Sequence, residues 1–262
     1  MKYENIIYKV EDGIATLSLN RPNSYNAVNA AMVYELDDVC EKIANDSAVR
    51  VVILKGEGKA FCAGGDVKEM QETKDRNLQD TISYVRLFNS MAVKLINLPK
   101  PVVTSIQGVA VGAGCNLAFA GDIIIASKKA KFSEIFSNLG LIPDAGGTYL
   151  LPRLIGRAKA KEHVFLHTMI AADEALQLGM VNRVVEPEEL DREVMNLAQK
   201  LAKGPTLAYA SAKKLINKSF ETNLVDALEH EAYLQSIAFM TEDYAEGRDA
   251  FLEKREANYK GK

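Results

Sequence analysis

Two runs of small residues stand out for what their backbones can do: residues 61–68 (FCAGGDVK) and 108–115 (GVAVGAGC). Each leads into a segment that reads as a helix, so each can aim unpaired main-chain N–H groups at one oxygen. Two such donors about 3 Å from a carbonyl oxygen form an oxyanion hole. It stabilises a developing enolate more than the ground-state carbonyl, by about 3 kcal/mol per donor. The small residues Gly65 and Ala113 leave the main chain open to an approaching carbonyl. The chemistry these loops predict is the formation of an enolate.

The elements that must hold the loops follow from hydrophobic periodicity. Two apolar runs, 6–10 and 14–19, flank Asp12-Gly13 and predict a hairpin. Residues 29–44 place Met32, Val33, Leu36 and Val39 at helical spacing, and 51–55 form a short apolar strand ending at Gly56. Residues 80–98 again read as a helix, with Ile82, Val85, Phe88, Met91, Ala92 and Leu95 along one face. Strands at 102–106 and 122–126 bracket a short helix at 114–120. Strand, loop and helix recur without an exact period, which predicts a mainly parallel sheet with crossovers. Beyond Gly140 the chain turns helical, at 171–178, 188–203, 205–218, 225–239 and 242–259, with the sharpest break at Gly204-Pro205. The predicted organisation is an α/β core over residues 1–200 and a helical region over 201–262.

Composition narrows the class of protein. Of 262 residues, 48% are apolar and 26% charged, which suits an ordinary globule rather than a disordered chain. A net charge of -3 offers no general attraction for nucleic acid or an anionic membrane, so an anionic ligand must be met locally. Cys40, Cys62 and Cys115 lie far apart without CxxC spacing, which argues against a disulfide framework or a zinc site and for a reducing, cytoplasmic setting. No apolar run has the length of a membrane span, and the first eight residues do not read as a signal peptide. His163 and His167 are four apart, but Val164 stands where a zinc-protease HExxH motif has glutamate; these two and His230 read as structural.

Four segments in order carry a resemblance: the Asn20-Arg21-Pro22 to Asn26-Ala27 turn, FCAGGDVKEM at 61–70, GVAVGAGCNLAFAGD at 108–122 and LGLIPDAGGTYLLPRLIG at 139–156. Together they make the chain similar, over essentially its whole length, to the crotonase, or enoyl-CoA hydratase/isomerase, superfamily. The resemblance implies an α/β fold, a crotonase-like (ClpP/crotonase) spiral of ββα units with a C-terminal helical region that assembles trimers or dimers of trimers. It implies an acyl-coenzyme A thioester as substrate and no cofactor besides the coenzyme A that the substrate carries. The main-chain N–H groups of Gly65 and Ala113 would be the oxyanion donors. Coenzyme A would lie against Ser24, Tyr25, Ala63, Asp66 and Val67. Lys68 and Lys254 would offer charge to its phosphates, and Phe251 and Lys254 would reach the nucleotide from a C-terminal element, often of another subunit.

Hydratases of this superfamily use two glutamates. Here the first position is Asn116 and the second, within the acyl site, is Phe136. An amide can hold water but cannot act as a carboxylate base, and a phenyl ring does neither. Glu134, two residues before Phe136, reads as a surface or structural residue unless a local shift turns it inward. Asp144 resembles the aspartate that dienoyl-CoA and ring-epoxide isomerases carry beside the acyl chain, and its place before a helix also suits a plain N-cap. These readings predict an enoyl-CoA isomerase with Asp144 as acid and base. Residues 80–95 would cover the acyl pocket, where Tyr84 and Phe88 either line it or pack in the core. Three alternatives stay open: a hydratase using Glu134, a hydrolase or dehalogenase with Asp144 as nucleophile, and a non-catalytic acyl-CoA or RNA binder.

Overall fold

A computed structural model of the chain describes residues 3–72 and 75–262. The hairpin forms as predicted: β1 (Ile6–Glu11) pairs antiparallel with β2 (Ile14–Leu19), and Asp12 and Gly13 both take positive φ in a two-residue turn. Asn29 caps α1 (Ala30–Asn45) by accepting from the Met32 N–H at 2.9 Å. Next come β3 (Val51–Gly56), α2 (Val67–Glu72), α3 (Leu78–Ile96) and β4 (Val102–Ile106). Then β5 (Val109–Val111), α4 (Ala113–Phe119), β6 (Ile123–Ser127), β7 (Lys131–Ser133) and α5 (Gly147–Leu166) complete the part that bears the loops. The remainder comprises β8 (Ile170–Ala171), α6 (Ala172–Gln177), β9 (Arg183–Val185), α7 (Leu190–Ala202), α8 (Thr206–Lys218), α9 (Leu224–Ala238) and α10 (Glu242–Glu253).

Six strands form one sheet in the order β1-β2-β3-β4-β6-β9, parallel from β2 onward. Alternation along the strands splits the core in two. Val52 and Leu54 of β3 pack with the α1 and α3 side, whereas Val51 and Ile53 meet Leu190, Val194 and Ala198 of α7. A second sheet, β5-β7-β8, is extended by the isolated bridges Val28↔Gly65 and Cys62↔Ala110. Each turn of the chain thus lays one strand in the large sheet and one in the small sheet before entering a helix. The result is a ββα spiral of the crotonase type. The second strands are too short to show a period in the sequence, which is why the repeat is hidden there.

Other departures are local. The buried face of α3 begins only at Phe88; Val85 is exposed, because the first half of the helix borders a cleft rather than the core. The last helix stops at Glu253, where Lys254 turns left-handed with φ 56° and donates back to the helix, instead of running to residue 259. All three cysteines are buried free thiols. No described helix is long and apolar enough to cross a membrane, and no group of described residues is arranged to hold a metal ion.

One partly buried ion pair ties the C-terminal helices to the sheet. Lys213 of α8 donates to Asp122 at 2.8 Å and to the carbonyls of Leu95 and Lys100 at 3.2 and 3.3 Å. Removing the cation takes a charged donor from a partly exposed carboxylate that keeps the Val102 N–H, so Lys213→Met is expected to cost about 1–2 kcal/mol in urea unfolding. Adding Asp122→Asn is expected to recover part of that loss. Equal stability of Lys213→Met and the parent would show that the pair contributes nothing.

Candidate active site

Successive turns of the spiral end their second strands side by side, and the loops that follow build the site. In the bridge Val28↔Gly65, Val28 uses both its main-chain groups, donating to Gly64 O at 2.7 Å and accepting from Asp66 N at 2.8 Å. The geometry of a parallel bridge turns the N–H of Gly65 to the opposite side. One turn later β5 ends at Val111, Gly112 follows with φ 56° and ψ -129°, and Ala113 opens α4. The N–H of a first helical residue has no acceptor within its own helix.

Close packing keeps the two loops together. A Cβ on Gly64 would lie 2.9 Å from the Val111 carbonyl and 3.7 Å from the Ala113 nitrogen, and one on Gly114 would lie 2.4 Å from the Cys62 carbonyl. These two glycines therefore answer to loop–loop contact rather than to a ligand. A Cβ on Gly65 would instead meet the Met70 methyl at 2.5 Å, a flexible chain end that a ligand can displace. The Phe136 ring lies across Gly112 and clusters with Ala113 and Ala145, so it borders the same spot.

Met70 also lines a cleft of about 1020 Å³ that runs between α3, the 141–149 segment and α8. Tyr84, Asn89, Ile142, Asp144 and Tyr149 are among its walls, whereas Phe88 is buried in the core. Asp144 does not cap α5: the residue at the cap is Gly146, and only the main-chain carbonyl of Asp144 bonds the helix, through Gly147 N at 2.8 Å. Its carboxyl oxygen Oδ1 is buried with no hydrogen-bond partner among the described residues. Burial pushes its pKa up to about 6, opposed by its own main-chain N–H.

Glu134 is not at the surface. It is 3% exposed at the end of β7 and its Oε2 lies 3.4 Å from the Asn116 amide nitrogen, which also donates to the Asp144 carbonyl at 2.9 Å. The surface reading fails because residue 134 directly follows β7 and so faces α4, as Gly112 does after β5. Burial raises its pKa to about 8, the charge of Asp144 adds to the shift and the Asn116 hydrogen bond opposes it. Gly147 makes room for that amide, since a Cβ there would lie 2.4 Å from the Asn116 nitrogen.

Sequence reasoning missed Asn89. Its Oδ1 accepts from the N–H of Ala145 at 2.8 Å, holding a buried alanine at φ 45° and with it the turn that presents Asp144. A lone asparagine on a helix carried no signal for this. Asn89→Ala leaves that N–H unsatisfied, at a cost of about 1–3 kcal/mol. We expect a lower melting temperature and a kcat reduced by about tenfold, a loss of catalytic alignment. A kcat equal to that of the parent would mean the turn holds without it.

Of the remaining sequence-predicted residues, Ser24, Tyr25, Ala63, Asp66, Val67 and Lys68 gather around the first loop. Tyr25, at φ 50°, accepts from the Ala63 N–H at 2.9 Å, which joins the Ser24-Tyr25 turn to the first loop. Arg21 pairs with Asp66 at 2.8 Å, and Asp66 accepts from the N–H groups of Lys68 and Glu69 at the start of α2. Val67 and Lys68 are exposed there. Phe251 and Lys254 are also exposed, on and just after α10, and neither lines the cleft.

A ββα spiral whose adjoining strand ends present main-chain donors beside a cleft with a buried carboxyl group is the architecture of enoyl-thioester enzymes. Comparison with known proteins agrees with it. The family model for enoyl-CoA hydratase/isomerase matches residues 9–262. The chain is 42% identical to the 1,2-epoxyphenylacetyl-CoA isomerase of Escherichia coli K12 and 38% identical to the crotonyl-CoA hydratase of Syntrophomonas wolfei, with 99% of each chain covered in both cases. The crystal structure of an enoyl-CoA hydratase from Bacillus anthracis superposes with a TM-score of 0.93 at 34% identity, over 99% of this chain and 100% of that one. The chain belongs to the enoyl-CoA hydratase/isomerase family of the crotonase superfamily.

Proposed function

We propose that this enzyme isomerises an unsaturated or ring-epoxide acyl-CoA by proton transfer through one carboxylate, Asp144. The observation that carries the reading is a carboxyl group on the cleft wall with an unpartnered oxygen and a pKa near 6. A base is most effective when its pKa lies near the working pH. With a 3-enoyl thioester, Asp144 takes a proton from C2. The C–H electron pair spreads over the thioester oxygen, held by the Gly65 and Ala113 N–H groups, and over C4. The Asp144 carboxyl then returns the proton to C4, and the double bond lies between C2 and C3 with no change of oxidation state. No further cofactor takes part.

Coenzyme A would follow Ser24, Tyr25, Ala63, Asp66, Val67 and Lys68, with Phe136 against the acyl end. Phe251 and Lys254 would act on the nucleotide of a neighbouring subunit. Residues 201–262 would form the assembly region of a trimer or a dimer of trimers, a reading supported by α9, which buries none of its residues although it exposes Leu224, Val225, Leu228, Tyr233 and Ile237. The three free thiols support a cytoplasmic setting.

A hydratase is the second reading, favoured by Glu134 beside the Asn116 amide. The deciding experiment supplies the purified protein with a 3-enoyl-CoA, with an epoxide-ring arylacetyl-CoA and with a 2-enoyl-CoA, and follows absorbance. Conversion of either of the first two supports the isomerase. Fast loss of the 2-enoyl chromophore, with the first two unchanged, makes the protein a hydratase.

A further inference from the structure

Asp144 is not the only carboxyl group at this site, and few hydrogen-bond donors face the two groups. Glu134 Oε1, Asn116 Oδ1 and Asp144 Oδ1 are three buried oxygens with no hydrogen-bond partner among the described residues. The Asn116 amide nitrogen is shared between Glu134 Oε2 and the Asp144 carbonyl, and among the described residues the Asp144 carboxyl otherwise meets only its own main-chain N–H. Neither carboxyl group forms an ion pair with a described lysine, arginine or histidine. Two neighbouring anions taken out of water without a cation are strongly disfavoured, and the site relieves this by keeping a proton.

We infer that Glu134, joined to the Asp144 turn through the Asn116 amide, is a buried neutral acid: it keeps its proton while Asp144 serves as the base. The inference rests on the reading of Asp144 given above and adds a positioning residue to it. With Oε2 accepting from Asn116, the Glu134 proton sits on Oε1 and Glu134 brings no second negative charge to the site. During turnover Asp144 takes up and returns the substrate proton, and Glu134 keeps its own, so the charge of the site changes by one only. The groups facing Glu134 agree. From α4 they are Asn116 and the Cys115 thiol, which burial pushes up and so keeps neutral. From the segment before α5 the facing group is Asp144. The direction of the Glu134 shift, upward with burial as its largest cause, supports the same assignment.

The pair also predicts a limit on activity at alkaline pH. Once Glu134 ionises, a second buried charge lies beside Asp144 and beside the place where the enolate forms. Isomerase kcat/KM should therefore rise through the Asp144 ionisation near pH 6 and fall through that of Glu134 near pH 8.

The test compares the full-length protein with Glu134→Gln, which keeps the shape and the Asn116 hydrogen bond but cannot ionise. Infrared titration is expected to give a protonated-carboxyl band at pH 7 that is missing in Glu134→Gln, and the alkaline fall in kcat/KM is expected to disappear in that variant. A parent protein without the band, or a folded Glu134→Gln that keeps the alkaline fall, overturns the inference. In Asp144→Asn, where the neighbouring charge is gone, the Glu134 band should titrate with its midpoint moved to lower pH; an unmoved midpoint overturns the pairing. The infrared readings do not depend on turnover, so they separate failure of this pairing from failure of the isomerase reading, which Asp144→Asn kinetics decides.

Discussion

Asp144→Asn is expected to lower the isomerisation kcat by about 10³-fold with KM changed only a few-fold, because a general base typically contributes 10²–10⁴ to the rate. The substitution keeps the shape and removes only the capacity to accept a proton. Little structure depends on the carboxyl group: Oδ1 has no described partner, and the turn is held through main-chain atoms by Gly147, Asn116 and Asn89. Stability should move the other way. The folded pKa of about 6 lies above the ordinary carboxylate value, so the unfolded chain releases this proton first. The contribution of Asp144 to stability is complete below about pH 4 and is lost as pH rises through 6. At pH 7.5 the asparagine variant should therefore melt at a higher temperature than the parent, and at pH 4 the gap should close. A variant that keeps its kcat within tenfold of the parent would remove Asp144 from the mechanism.

Ala113→Pro is expected to reduce kcat by about 10²–10³-fold in a folded protein, the usual cost of one oxyanion donor. Proline deletes the N–H without breaking a helix bond, since Ala113 is the first residue of α4 and proline fits that position. The residue before a proline must be extended, and Gly112 occupies the mirror-image extended region that glycine alone enters readily. Ala113→Gly retains the donor and separates its effect from that of the methyl group. Circular dichroism like that of the parent, with kcat lowered in the proline variant far more than in the glycine variant, would assign the donor. Equal activity in the two would place the thioester oxygen elsewhere.

Both effects act on the same developing charge, so their combination is not expected to add. Removing the base leaves the oxyanion hole with no enolate to hold, and the double variant should be little slower than Asp144→Asn alone.

Much of this was legible along the chain because it depends on local rules. The Asp12-Gly13 turn, the Asn29 cap, the buried β3 run and the small-residue loops each declare themselves within a few residues, through backbone freedom, capping and period-2 or period-3.6 patterning. The ordered motifs brought the family as well, and with it the expectation of Asp144 in place of two glutamates. Other features lay in contacts between distant segments. The second sheet rests on three-residue strands and single bridges, which have no periodicity to read. Asn89 reaches the Asp144 turn across 56 positions, and Glu134 looked like one more charged residue until the stacking of β7 beside β5 turned it inward. The sequence by itself therefore determined the elements, the family and the two small-residue loops, since these follow from chain-local sterics and hydrophobic pattern. Only the tertiary structure decided that Glu134 and Asp144 are both drawn in beside Asn116, with burial pushing both pKa values up, because desolvation depends on everything packed around a group rather than on its neighbours in the chain.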